Sequence, residues 1–337
     1  MEGSDPSKES THIMYLDANG LYGSVMQEEL PVSGFKWLGE KDLETLDQFA
    51  RLGYKPPSGL GYTLEVDLKY PEELQDLHND YPLAPEKVKI NGVKKLTPNL
   101  FDKKRYVLMY EALQFYMSQG LVLAKIHRGI LYNTLAFMRD FVQFNMRKRQ
   151  QAKSEFEKGY YKLANNAPYG NSFENVRNRC NVELVCKQNE QKLKRLVAKP
   201  GFQSAPVLES SSMVQVRTGK SRVVSNKPIF VGSVILDKSK LVMYNFHYEY
   251  MLKKYSYQDC KLLLTDTDSL VYQIKTEDFY KDISKDVYEK FDTSNYPKDH
   301  PSKIPTGVNK KVLGMFKDEL GGVPISELVA LDQNVKH

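Results

Sequence analysis

The chain has 337 residues, 41% hydrophobic and 27% charged, which gives apolar content for a buried core and length for roughly two domains. Its longest apolar runs, such as Leu262–Leu264 and Leu328–Leu331, fall far short of the ~18 residues of a membrane span, and the opening MEGSDPSKES lacks a secretory h-region, so a soluble intracellular protein with no membrane partner is expected. The net charge of +6 is modest, and the three cysteines, Cys180, Cys186 and Cys260, form no C-x-x-C pair, which argues against a disulfide scaffold or zinc ribbon and for a reducing compartment.

In chain order, residues 1–12 are polar and read as a flexible tail. Ile13–Asp17 predicts a strand ended by Asn19-Gly20 turn chemistry, and Leu21–Leu30 a short helix stopped by Pro31. Tyr62–Leu68 alternates apolar and polar residues as a half-buried strand does. Residues 69–100, rich in Pro, Asn and Asp, read as irregular. Tyr106–Ser118 has helical spacing with Gly120 as its stop, and Leu121–Leu131 reads as two strands turning at Arg128-Gly129. Leu135–Lys158 is a long helical pattern, weakened at Gly159 and followed by a second helix, Tyr160–Ala167, up to Pro168. Residues 145–179 carry eight Lys and Arg against three Glu, a field that favours phosphate-bearing partners, although a solvated helix pair has the same composition. Residues 200–228 read as loop, Lys238–Tyr255 as a helix, and Leu262–Ile274 as strand, turn, strand. The sum is an α+β fold, an antiparallel sheet with helices.

Three stretches carry chemistry. In Leu262–Tyr272, two apolar strands flank a D-T-D-S tip, which sets Asp266 and Asp268 close together and calls for a cation to neutralise them. A plain surface turn has the same pattern, as does the D-x-D of nucleotide-sugar glycosyltransferases. A calcium loop does not, because Val271 stands where its glycine is needed. In Tyr15–Met26, a lone carboxylate, Asp17, ends a strand, and Tyr22 follows five residues later; Asp17 as a turn residue or helix cap is the simpler reading of that stretch. In Lys162–Gly170, Lys162, Asn166 and Tyr169 fall at i, i+4 and i+7 on one helix face. A cation, an amide and a phenol there suit a phosphate, a sugar and a base; the other reading is a solvated face.

Taken in order, D-x-x-x-L-Y, K-x-x-x-N-x-x-Y-G and D-T-D-S resemble motifs A, B and C of family B DNA polymerases. The stretches KLANNAPYGNSFENVRNR, FDTSNYP and NKKVLGMFKDELGG are similar to the protein-primed branch of viruses, linear plasmids, Polinton-type (Maverick) transposons and adintoviruses. The resemblance runs from about Ile13 to about Leu331. It implies an α+β palm, an antiparallel sheet with helices, plus fingers made of a helical hairpin. The implied activity is DNA-directed DNA synthesis from dNTPs on a DNA primer-template, with a terminal priming protein as a further partner and the nucleus or a viral replication site as its place. A catalytically weak or inactive fragment that still binds nucleotide and DNA is the alternative.

The resemblance also assigns residues. Asp17 and Asp268, 251 positions apart, become the ligands of two Mg²⁺ ions, with Mn²⁺ as a substitute. The Ala18 carbonyl adds a ligand, and Asp266 has a supporting catalytic role. Tyr22 becomes the steric gate against a 2′-hydroxyl, with Gly23 in place of the usual proline. Arg149, Lys153 and Lys162 hold the triphosphate, Asn166 and Tyr169 line the nascent base pair, and Gly170 lets the template backbone approach. Lys153 and Lys162 are nine residues apart and point about 180° from each other on a straight helix, so a chain reversal is expected near Glu157–Gly159.

The domains expected from the resemblance are palm with motif A over 13–61, an insertion contacting the priming protein and DNA over 62–135, fingers over 136–180, palm with motif C over 181–331, and a truncated tail over 332–337. Only sixteen residues precede Asp17, and Lys336 is followed by His337 where the family has K-x-Y, so exonuclease and thumb are expected to be absent.

Overall fold

A computed structural model describes residues 10–90, 92–208, 212–323, 325 and 327–329. Most of the expected N-terminal tail (1–9), and the C-terminal tail with Lys336 and His337, lie outside them. The chain divides into two units, Met1–Ala167 with Ser233–His337, and Pro168–Gly232.

The first unit is built on two sheets and a hairpin. Its strands are β1 (Ser10–Ala18), β2 (Leu30–Trp37), β3 (Leu60–Lys69), β4 (Glu86–Ile90), β5 (Val93–Thr97), β6 (Lys103–Met109) and β7 (Val122–Leu135). In the second unit lie β8 (Cys180–Cys186), β9 (Phe202–Ser204) and β10 (Met213–Gly219). The first unit resumes with β11 (Cys260–Asp266), β12 (Ser269–Thr276), β13 (Phe291–Asp292) and β14 (Phe316–Asp318).

The five-stranded sheet has the order β11-β12-β1-β14-β13. Its central strand β1 pairs antiparallel with β12, from Ser10↔Thr276 to Asp17↔Ser269, and on its other edge with β14, where Asp17 faces Lys317. The pairing explains the burial pattern: Met14, Leu16 and Ala18 alternate inward and meet Leu270, Tyr272, Ile274 and Phe316 in one core. Phe246, in the π-helical segment Asn245–Met251, stacks on Phe316 of β14 with ring centroids 3.6 Å apart and ties that segment to the sheet.

The four-stranded sheet has the order β2-β7-β3-β6 and packs on the helices Glu40–Arg51 and Tyr110–Ser118. Several expectations are corrected here. Leu121–Leu131 is no strand pair: β7 runs unbroken through Arg128-Gly129. Gly129 is there for close approach, since a Cβ would lie 2.6 Å from Leu64 Cδ2 and 2.8 Å from Leu38 Cδ1. The helix expected over Tyr106–Ser118 begins only at Tyr110, because Lys103–Met109 pairs with β3 as β6. The helix expected over Leu21–Leu30 spans Leu21–Val25, and Leu30 already opens β2 against β7. Residues 69–100 hold the β4–β5 hairpin and short helical turns, and 200–228 hold β9 and β10.

The two helices of the expected fingers are Arg139–Gln151 and Glu155–Ser172. They part at Ala152, whose ψ of 132° is extended. Ser154 then starts the second helix with a reciprocal cap: its Oγ accepts the Glu157 N–H, and the Glu157 carboxylate accepts the Ser154 N–H at 3.3 Å. The break therefore comes a few residues before Glu157–Gly159. Gly159 lies inside the second helix, and so does Pro168, which was expected to end it. The expected helix Lys238–Tyr255 begins at Ile229 and passes through a π-helical segment, Asn245–Met251.

The second unit is a small antiparallel sheet, β8-β10-β9, with the helix Glu190–Val197. Val185, Leu196, Val214 and Val216 form its core.

Candidate active site

The site is assembled where β1 ends. Asp17 is the penultimate residue of that strand, and the next amide, Ala18 N–H, donates to the Asp268 carbonyl at 2.7 Å. Asp268 sits in the two-residue tip between β11 and β12, closed by the pair Asp266↔Ser269. Thr267 beside it has φ 52°, a left-handed angle rare for a β-branched residue, so this tip is strained to set Asp268 beside Asp17. Gly20 (φ 53°) turns the chain from β1 into the helix Leu21–Val25, which carries Tyr22; a Cβ on Gly20 would lie 2.7 Å from Leu313 Cδ2.

These residues open into a cleft of about 300 Å³. Asp17, Asp268 and Glu319 line it together with Tyr22, Arg149, Lys162 and Asn166, and further cations come from Lys310, Lys311 and Lys317. Arg149 belongs to the first finger helix and Lys162 to the second; on one straight helix, thirteen residues would separate them by about 20 Å. The break at Ala152 brings both to one cleft.

The electrostatics are those of a site short of positive charge at its acidic end. Burial, then the charges of Asp268 and Glu319, push the Asp17 carboxyl up to about 7, against the pull of Lys162 and Lys317. Asp268 is also raised, by burial first and by Asp266 among its neighbours. Among the described residues, no group of three or more His, Cys, Asp or Glu is placed to hold a metal ion. Two hard carboxylates facing an open cleft nevertheless suit Mg²⁺, which keeps water ligands and takes one or two carboxylates plus substrate phosphates.

The remaining sequence-selected residues stand elsewhere. Asp266 is exposed and accepts a hydrogen bond from Thr267 Oγ1 at 3.3 Å. Ala18 is fully buried and does not line the cleft. Lys153 lies in the break between the finger helices, also away from the cleft lining. Tyr169 and Gly170 belong to the second unit, where the Tyr169 ring meets Phe173 edge-on, with centroids 5.5 Å apart, and a Cβ on Gly170 would meet nothing within 4 Å. Sequence reasoning missed Asp292, Ser294, Lys310, Lys311, Lys317 and Glu319, which all line the cleft. They lie in the stretches FDTSNYP and NKKVLGMFKDELGG, which carried the family resemblance and were given no roles.

The family model for DNA polymerase type B, organellar and viral, matches residues 4–251. The chain belongs to the organellar and viral type B DNA polymerases. Among solved structures it is similar to Phi29 DNA polymerase complexed with primer-template DNA in a post-translocation binary complex, at 16% identity and a TM-score of 0.53, over 94% of this chain and 44% of that one. It is also similar to the ternary complex of Phi29 DNA polymerase with primer-template DNA and incoming nucleotide substrates, at 15% identity and a TM-score of 0.50, over 94% of this chain and 45% of that one. The chain thus spans under half the length of the structures it matches, and the likeness establishes the fold, the α+β class of a type B polymerase. A comparison with the curated proteins finds no match. None of the helices among the described residues is long and apolar enough to cross a membrane.

Proposed function

We propose that the cleft is the polymerisation site of a template-directed DNA polymerase, which transfers a deoxynucleoside monophosphate from a dNTP to a primer 3′-hydroxyl. The observation that carries this reading is the meeting of Asp17 and Asp268 in a cleft whose other walls carry Arg149, Lys162 and Asn166. In this reading Asp17 and Asp268 would hold two Mg²⁺ ions, with Mn²⁺ as a substitute. Bound there, the ions lower the pKa of the attacking hydroxyl and neutralise charge on the leaving diphosphate. Asp266 tunes Asp268 through its charge. Lys162 and Arg149 hold the triphosphate, with Lys153 entering from the helix break. Tyr22 closes the space beside the sugar C2′, and Asn166 flanks the nascent base pair.

The Phi29 polymerase complexes contain primer-template DNA and incoming nucleotides, and the same partners are assigned to this chain. Priming from a protein hydroxyl is the finer reading; it rests on the motifs shared with the protein-primed branch. The test is primer extension with Mg²⁺ and with Mn²⁺. Asp17→Ala and Asp268→Ala should each lose several powers of ten in rate while keeping the wild-type circular dichroism, since each ion supplies several kcal/mol. Full activity in either variant would refute the assignment.

A further inference from the structure

We infer that Asp292 is a positioning residue, whose carboxylate ties the turn after Asp17 to the loop carrying Lys310 and Lys311 and holds those lysines as the palm-side wall for the incoming triphosphate and the leaving diphosphate. The inference rests on the polymerase reading and deepens it.

Asp292 ends β13 and is 1% exposed. Its Oδ2 accepts hydrogen bonds from Asn19 Nδ2, at 2.7 Å, and from the Lys311 N–H, at 2.8 Å; its Oδ1 accepts from the Ser294 N–H at 2.9 Å. One carboxylate therefore joins three segments that meet at the cleft. Charge-assisted bonds of this kind are about twice as strong as neutral ones.

The loop itself is over-determined. Asn309 and Lys311 both adopt left-handed backbone angles, φ 54° and 58°. For Lys311 this is a disfavoured conformation, and the bond from its N–H to Asp292 holds it there. Asn309 donates through Nδ2 to the carbonyls of Val287 at 2.9 Å, Tyr288 at 3.2 Å and Phe291 at 3.0 Å. From the finger side, Gln150 Nε2 donates to the Lys310 carbonyl at 3.1 Å. Strain fixed from several sides is characteristic of functional positions.

The loop presents cations to one another. The Lys311 ammonium is pushed down by burial, then by the like charges of Arg149, Lys158 and Lys310, with Glu155 pulling the other way. Arg149 Nε is buried without a hydrogen-bond partner among the described residues. Mutually repelling cations with an unspent donor favour an anion with several acceptor oxygens, and a diphosphate or triphosphate supplies one.

The test measures binding apart from catalysis. Metal-free calorimetry with inorganic pyrophosphate and with tripolyphosphate is paired with KM and kcat for dNTP on a primer-template. The double variant Lys310→Gln/Lys311→Gln should lose about tenfold in affinity per lysine, the value of one charge-assisted contact, and KM should rise in parallel. Asp292→Asn keeps both lysines, so a reduced polyphosphate affinity with raised KM in that variant assigns the loss to position. Asn19→Ala, which cuts the same tie from its other end, should move KM in the same direction and serves if Asp292→Asn does not fold. Wild-type affinity and KM in the double variant, or a lowered melting temperature with unchanged affinity in both Asp292→Asn and Asn19→Ala, would overturn the inference. Lysine-dependent polyphosphate binding by a chain that adds no nucleotide would support the loop's role and overturn the polymerase reading alone.

Discussion

Asp17→Asn removes one charge from a place where burial, Asp268 and Glu319 all oppose ionisation. The folded carboxyl titrates at about 7, the unfolded one near 3.8. Between those values the unfolded chain has released a proton that the folded chain still holds, so stability falls as pH rises through the interval. Below it both states are protonated and the penalty vanishes; above it the penalty is complete. A shift of about three units sets a ceiling near 4 kcal/mol, and because Asp17 is only half-buried, solvent screening reduces this to about 1–2 kcal/mol. The variant should therefore be inactive, yet melt about 1–3 °C above wild type near pH 8 without divalent ions, and show almost no gain near pH 4. Differential scanning calorimetry across that range reads both the gain and its slope. Mg²⁺ should raise the wild-type melting temperature near pH 8 and leave the variant unmoved. A variant no more stable than wild type near pH 8, or equally stabilised at all pH values, would refute the electrostatic account.

The other predictions concern the walls of the cleft and the sheet beside it. Tyr22→Val should raise ribonucleotide incorporation relative to deoxynucleotide in single-turnover kinetics; unchanged discrimination would make Tyr22 a packing residue. Lys162→Ala should raise KM for dNTP by about tenfold. Because Lys162 lowers the Asp17 pKa, the same variant should move the acid limb of the pH–rate profile to higher pH, and a limb that stays put would break that link. Gly129→Ala should cost about 1–3 kcal/mol in urea denaturation by crowding Leu64 and Leu38, with activity per folded molecule unchanged. A neutral effect would mean that the Leu64 and Leu38 side chains relax freely.

What the sequence made legible was local. The D-T-D-S hairpin and the strand before Asn19-Gly20 show in alternation and turn chemistry, and both stand within a few residues of expectation. The long strand β7 did not, because Arg128-Gly129 has the composition of a turn while the glycine is demanded by Leu64 and Leu38 from elsewhere in the chain. The β4–β5 hairpin was readable, since Asn91-Gly92 separates two alternating runs, but the surrounding Pro and Asp residues masked it. Ser154-x-x-Glu157 likewise held a capping box that starts the second finger helix at Glu155, five residues before the expected Tyr160. Asp17, Asp268, Tyr22, Lys162 and Asn166 were named from the motifs and Arg149 from the family resemblance, and all line one cleft. Asp292, Lys310, Lys311 and Glu319 were not, because only the pairing of β14 with β1 and β13 brings that part of the chain to the end of β1.

The charges in the cleft explain why so many distant segments are needed. Its acidic end and its basic end are each self-repelling: Asp17 is disfavoured as an anion by Asp268 and Glu319, and Lys311 as a cation by Arg149, Lys158 and Lys310. A fold that placed the two ends in direct contact would cancel both and leave nothing to bind. Here the cancellation is partial, since Lys317 stands opposite Asp17 in the sheet and Lys162 reaches it from the fingers. In the polymerase reading proposed above, the rest of the imbalance suits a ligand that is cationic at one end and polyanionic at the other. A metal-bound nucleoside triphosphate has that polarity, with divalent charge near the reacting phosphate and oxygens in excess along its tail. Each end of the cleft also carries a residue with a left-handed backbone, Thr267 at the acidic end and Lys311 at the basic end, and side-chain bonds from Asp292 and Asn309 hold the loop of Lys311 in place.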